Sequence, residues 1–149
     1  MAVKTKITRK SRNIPAWVWG VLSVAVLIVF VMIFFQQPLF GKSQALPAEI
    51  SIQKAAEMRD QGAFILDVRE QSEWDEYHIP GATLIPLGQV QSRVNEVPKD
   101  KPIVVVCRSG NRSKEGRDKL AAAGFTQVTS MAGGVSQWRS QGLPVVPGR

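Results

Sequence analysis

The chain has 149 residues, enough for one compact domain with an appendage and too few for two ordinary domains. Its formal net charge of +7 is concentrated at the amino end, because from Ala45 onward 13 basic residues face 12 acidic ones. This nearly neutral remainder has no basic stripe interleaved with aromatic residues, so nucleic acid is not an expected partner.

A long apolar segment, Trp17 to Phe35, follows five basic residues near the amino end. Its 19 residues carry no charge. As a helix the segment would be about 28 Å long, which matches the hydrocarbon core of a bilayer. We therefore predict a transmembrane helix over residues 14–35 after a basic cytoplasmic tail over residues 1–13. The positive-inside rule then predicts a single-pass protein of the cell membrane whose carboxyl-terminal domain is extracytoplasmic.

A cleaved signal peptide is the competing interpretation of this segment. Ser43-Gln44-Ala45 has small residues at the spacing that a signal peptidase recognises, and cleavage after Ala45 would release the domain outside the cytoplasm. The apolar run exceeds the roughly 7–15 residues usual in a signal peptide, which favours the uncleaved anchor. Residues 36–47 contain prolines and a glycine and are predicted to be a linker, so the folded domain is expected over residues 48–149.

Short apolar runs alternate with helical stretches in this domain. The patterns predict helices over 52–61, 112–123 and 135–141 and strands over 64–68, 83–85, 103–106 and 128–131. The run 103–106 is apolar at every position, as expected of a central parallel strand covered on both sides. The sequence therefore predicts an α/β fold, a single domain with a central parallel sheet and helices on both faces. Ligands of such folds bind at the carboxyl ends of the strands.

The only cysteine of the chain stands at such a strand end. It begins a loop of six residues, Cys107-Arg108-Ser109-Gly110-Asn111-Arg112. Backbone N–H groups in a curled loop, and the positive end of the helix that follows, stabilise a thiolate. Positive charge at Arg108, Arg112 and Lys114 acts in the same direction, and the thiolate is the nucleophilic form of cysteine. We therefore predict that Cys107 is a catalytic nucleophile and not an inert core thiol.

This loop is similar to the active-site loop of rhodanese-domain sulfurtransferases. Three further segments resemble the same family in the same order, and together the motifs span about Ile50 to Val146. These segments are Leu66-Asp67-Val68-Arg69, the run from Glu73 to Ala82 with Ile85-Pro86 behind it, and Gly133-Gly134-Val135 with Trp138 and Gly142-Leu143-Pro144-Val145. The predicted transmembrane helix lies outside the resemblance.

The resemblance implies a single rhodanese-like domain and a sulfur-transfer mechanism. Cys107 would take sulfane sulfur from a small anionic donor such as thiosulfate, or from a persulfide, and hold it as a persulfide. Residues 108–112 would form the donor-binding loop, with Arg108 and Arg112 holding the anion. The implied acceptors are a thiol, cyanide or a protein, and neither a metal nor an organic cofactor is expected. Because the chain has no second cysteine, the acceptor must be external.

Other polar residues near the motifs have simpler interpretations. Asp67 is a supporting candidate for the cysteine loop, although an ion pair with the nearby Arg69 explains it more simply. His78, the only histidine, is expected to fix a turn beside Pro80 and Gly81, and no metal site is predicted. The acidic residues that follow Arg69 are expected to form a solvated helix face: Glu70, Glu73, Asp75 and Glu76.

Two other classes of function remain open at this point. Cysteine-dependent phosphatases and arsenate reductases place five residues between the cysteine and a closing arginine, whereas four residues separate Cys107 from Arg112. The shorter loop favours a single sulfur atom over a tetrahedral oxyanion. The non-enzymatic alternative is a membrane-tethered binding or sulfur-carrier module that accepts sulfur on Cys107 without fast turnover.

Overall fold

The computed structural model describes residues 45–148, so the predicted tail, transmembrane helix and most of the linker lie outside the described residues. Within 45–148, no helix has the length and apolar character needed to cross a bilayer. The strands in chain order are β1 (Glu49–Ile50), β2 (Phe64–Asp67), β3 (Thr83–Leu84), β4 (Ile103–Val106) and β5 (Val128–Met131). The α-helices are α1 (Ile52–Asp60), α2 (Gln71–Glu76), α3 (Asn111–Ala122) and α4 (Gly134–Ser140).

The strands form one sheet in the order β1-β5-β4-β2-β3, and every pair of neighbours is parallel. β4 is the central strand, and its Val105 lies opposite Leu66 of β2 and Ser130 of β5. The predicted central parallel sheet is therefore confirmed. Because all strands run in one direction, the residues that follow β2, β3 and β4 meet at the same edge of the sheet.

Helices cover both faces of this sheet, as the sequence predicts. Val104 and Val106 of β4 belong to the apolar cluster that contains residues of α1 and α4. Ile103 and Val105 belong to the opposite cluster, which contains Leu120 of α3. Side chains alternate between the two faces of a strand, so an uninterrupted apolar run is what a strand buried on both faces requires.

The helix ends follow from local chemistry. The Ser51 hydroxyl accepts a hydrogen bond from the Lys54 N–H at 3.2 Å and caps α1, as its position before the helix predicts. At the other end of α1, Gly62 has a φ of +89°, a conformation that glycine adopts without strain.

α3 packs closely on the sheet because Gly116 has no side chain. A Cβ atom at this position would lie 3.1 Å from Cγ1 of Val105 and 3.2 Å from Cγ1 of Val68. This approach holds the helix against β4 and the residue that follows β2, and the amino end of the helix follows directly from the loop after β4.

Candidate active site

The cysteine is the first residue after β4, on the side of the sheet that α3 covers. Its side chain is buried, with 1% of its surface exposed, and the Gly110 N–H donates a hydrogen bond to Cys107 Sγ at 3.1 Å. Gly110 has a φ of +104° and is the residue that caps α3, so the chain turns back over the sulfur before the helix begins. The sulfur therefore lies at the positive end of a 12-residue helix and accepts a backbone N–H.

The backbone of the cysteine loop is held from outside by α4. The Val135 N–H donates to the Cys107 carbonyl oxygen at 2.8 Å, and the Ser136 N–H donates to the Arg108 carbonyl oxygen at 3.1 Å. Gly134 lies so close to the loop that a Cβ atom there would overlap the Arg108 carbonyl group. A residue with a side chain at position 134 would therefore displace the loop. Gly134 also has a φ of +61°, a conformation that favours glycine.

The turn is also held from within α3. The buried Ser113 hydroxyl donates to the Gly110 carbonyl oxygen at 2.7 Å. This bond fixes the peptide group that follows the N–H donor of the sulfur. The loop is thus preorganised by α4 on one side and by the first turn of α3 on the other.

The outer surface of the loop consists of side chains that face solvent. Arg108, Ser109 and Asn111 are exposed. Among residues 45–148, the Arg108 guanidinium has neither a hydrogen-bond partner nor an ion-pair partner. It is therefore available to an anionic ligand that approaches the cysteine.

Arg112, the other arginine of the loop, is already paired. Its Nη1 and Nη2 atoms each donate at 2.7 Å to one carboxylate oxygen of Glu73. These hydrogen bonds lower the pKa of Glu73 below its ordinary value of 4.5, and they raise the pKa of Arg112. The negative charges of a Cys107 thiolate and of Glu70 also raise the pKa of Arg112. Both members of the pair are therefore charged at neutral pH.

The helix that carries Glu73 is anchored by the end of β2. Glu73 and Glu70 form a reciprocal capping box at the start of α2. Arg69 donates from Nη1 to the Glu73 carbonyl oxygen at 3.0 Å and from Nη2 to the Tyr77 carbonyl oxygen at 2.7 Å. Arg69 is itself paired with Asp67, and the two side chains are 2% and 0% exposed.

The structure thus separates the predicted site residues into two groups. Residues 107–112 form one loop around the sulfur. Asp67 pairs with Arg69 inside the domain, as the simpler interpretation expects, and Lys114 pairs with Glu49 of β1 at 3.2 Å. The ammonium of Lys114 therefore pairs with a carboxylate at the sheet edge and not with the cysteine.

Sequence reasoning missed three residues of the site: Glu73, Ser113 and Gly134. The expectation that the acidic residues after Arg69 face solvent is wrong for Glu73, because this carboxylate binds Arg112 across 39 positions of sequence. The paired glycines 133 and 134 were the available signal for a close backbone approach. His78 uses its backbone N–H and C=O to pair with Val146, while its ring stacks on Trp74 with centroids 3.6 Å apart.

This arrangement provides a buried sulfur nucleophile, the Gly110 N–H that donates to it, and at the surface of the loop the cation of Arg108, which is unpaired within residues 45–148. A preorganised N–H and the positive end of a helix stabilise negative charge on the cysteine sulfur or on a second sulfur bound to it. The arrangement can therefore support covalent chemistry in which sulfur carries the negative charge.

Comparison with known proteins agrees with this geometry. Residues 51–141 match the family described as "Rhodanese-like domain". A sulfurtransferase of Allochromatium vinosum is 33% identical over 68% of this chain and 92% of its own length. The thiosulfate sulfurtransferase GlpE of Pseudomonas syringae pv. syringae is 35% identical over 59% of this chain and 83% of its own length.

A longer relative and a solved structure extend the comparison. YrkF of Bacillus subtilis, named for a suggested role as a sulfur carrier, is 39% identical over 53% of this chain, and the match spans only 43% of its length. The crystal structure of a rhodanese-related protein from Thermoplasma volcanium superposes with a TM-score of 0.62 at 28% identity. This superposition covers 67% of this chain and 98% of that one. The likeness therefore extends from the sequence of the domain to its fold.

Proposed function

The chain belongs to the rhodanese-like domain family, and from this premise we propose that it is a sulfurtransferase that carries sulfane sulfur on Cys107. The observation that carries the proposal is the placement of the sulfur, which accepts the Gly110 N–H at 3.1 Å at the amino end of α3. Relatives named as sulfurtransferases support sulfur transfer in general. The donor class we propose is a small sulfur anion such as thiosulfate, or a persulfide.

The proposed reaction has two displacement steps at sulfur. The Cys107 thiolate attacks the outer sulfur of thiosulfate, so a new S–S bond forms while the original one breaks and sulfite leaves with the electron pair. The Gly110 N–H and the positive end of α3 stabilise the negative charge of the resulting persulfide. A thiolate, cyanide or a nucleophile on a partner protein then attacks this sulfur and regenerates the Cys107 thiolate.

The loop arginines contribute unequally to donor binding in this proposal. Arg108 is exposed and unpaired among the described residues, so it is the cation that an anionic donor meets. Arg112 is bound by Glu73 through both terminal nitrogens, which differs from the expectation that it holds the donor. The same pairing disfavours a phosphatase or arsenate reductase, since an arginine that wraps a tetrahedral oxyanion needs those nitrogens free.

A sulfur carrier without fast turnover is the second candidate function, and the relative YrkF is the observation that favours it. The two candidates share the Cys107 persulfide and differ in the acceptor. An enzyme passes its sulfur to a small thiol or cyanide repeatedly, whereas a carrier keeps the sulfur until a specific protein removes it.

Location forms a separate part of the proposal. We propose that residues 14–35 anchor the protein in the cell membrane and that the domain over 48–149 is extracytoplasmic. The uncharged run Trp17 to Phe35 and the preceding basic residues support this arrangement. A reporter fused after Arg149 should be active outside the cytoplasm. Detection of a mature amino terminus at Leu46 would instead support cleavage and release.

The function is tested by sulfur loading of the purified full-length chain. Incubation with thiosulfate should add the mass of one sulfur atom, and cyanide should then remove it as thiocyanate. Cys107→Ser should abolish both steps, while Ser109→Ala, which keeps the nucleophile, should still load. Full transfer activity in Cys107→Ser would disprove the mechanism. Stable loading that cyanide removes only once and slowly would favour the carrier, and phosphate release from an aryl phosphate without loading would favour the phosphatase.

A further inference from the structure

The ion pair of Glu73 and Arg112 neutralises the cation at the end of the cysteine loop. Arg112 lies in the first turn of α3, five positions after Cys107, and both of its terminal nitrogens are 2.7 Å from carboxylate oxygens. Solvent reaches the pair, because 34% of the Arg112 side chain and 19% of the Glu73 side chain are exposed. An anion approaching the sulfur therefore meets Arg112 as half of a neutral pair.

Resting on the sulfur transfer proposed above, we propose that Glu73 is a specificity-determining residue that limits the affinity of the site for anions. By neutralising Arg112, it leaves Arg108 as the one cation of residues 107–112 that has no partner among the described residues. This limit matters because the first step consumes one anion, thiosulfate, and releases another, sulfite. Two unpaired cations would bind the donor more tightly and would also retain the product, and equal stabilisation of ground and transition states does not accelerate turnover.

The placement of Glu73 allows its charge to be removed without removing its structural contacts. Arg69 holds α2 through the backbone carbonyl oxygens of Glu73 and Tyr77, which a side-chain substitution leaves in place. The capping box at the start of α2 accepts Gln as well as Glu at its third helical position. Glu73→Gln therefore changes the charge beside Arg112 while keeping the helix.

The field at the sulfur can be measured by alkylation, because Cys107 is the only cysteine of the chain. Iodoacetate is an anion and iodoacetamide is neutral, and both react with the thiolate. The thiolate fraction cancels in the ratio of the iodoacetate rate constant to the iodoacetamide rate constant. This ratio therefore reports the local electrostatic potential. We expect Glu73→Gln to raise this ratio about threefold and Arg112→Gln to lower it about threefold, as for one charge several ångströms away in partly solvated surroundings.

Two further variants of the full-length chain complete the test. The double variant Glu73→Gln with Arg112→Gln should return the ratio close to that of the wild type, since it removes one charge of each sign. Glu115→Gln is the matched control, because it removes the same charge from an exposed pair with Lys119 on α3. It should leave the ratio unchanged. Equal ratios for Glu73→Gln and the wild type, or for Glu73→Gln and Glu115→Gln, would overturn the inference.

Donor binding gives the second measurement. The thiosulfate concentration that half-saturates sulfur loading should fall about threefold in Glu73→Gln, for the same electrostatic reason, and sulfite should inhibit this variant more strongly. A purely structural role would raise that concentration, and this result would also overturn the inference. If wild-type Cys107 takes up no sulfur, the proposed function fails, whereas the alkylation ratios still decide whether Glu73 sets the field.

Discussion

The strands β2 and β4 lie side by side and end at the same edge of the sheet, yet the residues after them are organised in opposite ways. At the end of β2, the charges of Asp67 and Arg69 are buried and bonded to each other, and Arg69 also donates to backbone carbonyl oxygens. After β4, the sulfur of Cys107 is buried, but the charge of Arg108 is exposed and unpaired within residues 45–148.

This difference distinguishes polar groups that stabilise the fold from polar groups that can bind a ligand. A buried charge is tolerated only when it is paired, so the charges at the end of β2 are bonded within the domain and buried from a substrate. The backbone of the loop after β4 is held by hydrogen bonds from α3 and α4, and within residues 45–148 the guanidinium of Arg108 is left unpaired. The two neighbouring strand ends therefore have different roles. The end of β2 holds α2 in place, and the end of β4 presents the nucleophile.

The largest effect should come from breaking the pair of Asp67 and Arg69 at the end of β2. Asp67→Ala leaves the Arg69 guanidinium buried without its carboxylate, and we expect a loss of about 3–5 kcal/mol in the free energy of unfolding. Urea denaturation of the full-length chain measures this loss. Asp118→Ala, which removes the exposed partner of Arg117, should cost less than about 1 kcal/mol. Equal losses for the two variants would contradict the structural role of the turn after β2.

A side chain at Gly134 should damage the loop after β4 through its backbone. The new Cβ overlaps the Arg108 carbonyl group, and the backbone at Gly134 has positive φ. We expect Gly134→Ala to lower the free energy of unfolding by about 2–3 kcal/mol and to reduce sulfur loading of Cys107. Gly88→Ala is the control, because no atom lies within 4 Å of a Cβ there. Wild-type loading in Gly134→Ala would show that α4 does not position the loop.

Removal of the free cation after β4 should change donor binding and not stability. Arg108→Ala should raise the half-saturating thiosulfate concentration about tenfold, because one charge-assisted hydrogen bond to the donor is lost. The free energy of unfolding should change by no more than about 0.5 kcal/mol. Lys101 is an exposed cation that precedes the amino end of β4, so Lys101→Ala should leave donor binding unchanged. A matching loss in both variants would mean that net charge, not the loop, attracts the donor.

The smallest effect concerns the pH dependence of the pair that joins α2 to α3. The Arg112 hydrogen bonds lower the pKa of Glu73 below 4.5, so the stabilisation is present above pH 4.5 and is lost as the pH falls through the lowered pKa. Because the pair is partly exposed, Glu73→Gln should cost less than about 1 kcal/mol at neutral pH. In urea titrations at decreasing pH, the free energies of unfolding of the wild type and Glu73→Gln should converge. A difference between them that grows in acid would contradict the lowered pKa of Glu73.

Local patterns predicted most of the secondary structure. The predicted strands 103–106 and 128–131 coincide with β4 and β5, and the predicted helices differ from α1, α3 and α4 by at most one residue at each end. The residues that indicate these elements lie within a few positions of one another, as Ser51 does before α1. The short strand β1 was missed, since two residues at a sheet edge have no periodicity to detect.

The sequence alone therefore determined the α/β class, the parallel sheet and the position of Cys107 between a buried strand and a helix. Each of these depends on the order of apolar residues, glycines and caps along the chain. The tertiary structure decided which partner each charged side chain takes, with Arg112 on Glu73 and Lys114 on Glu49. It also decided that Gly134 supports the loop. Such contacts join residues far apart in sequence, and they depend on strand order and helix placement, which local spacing does not encode.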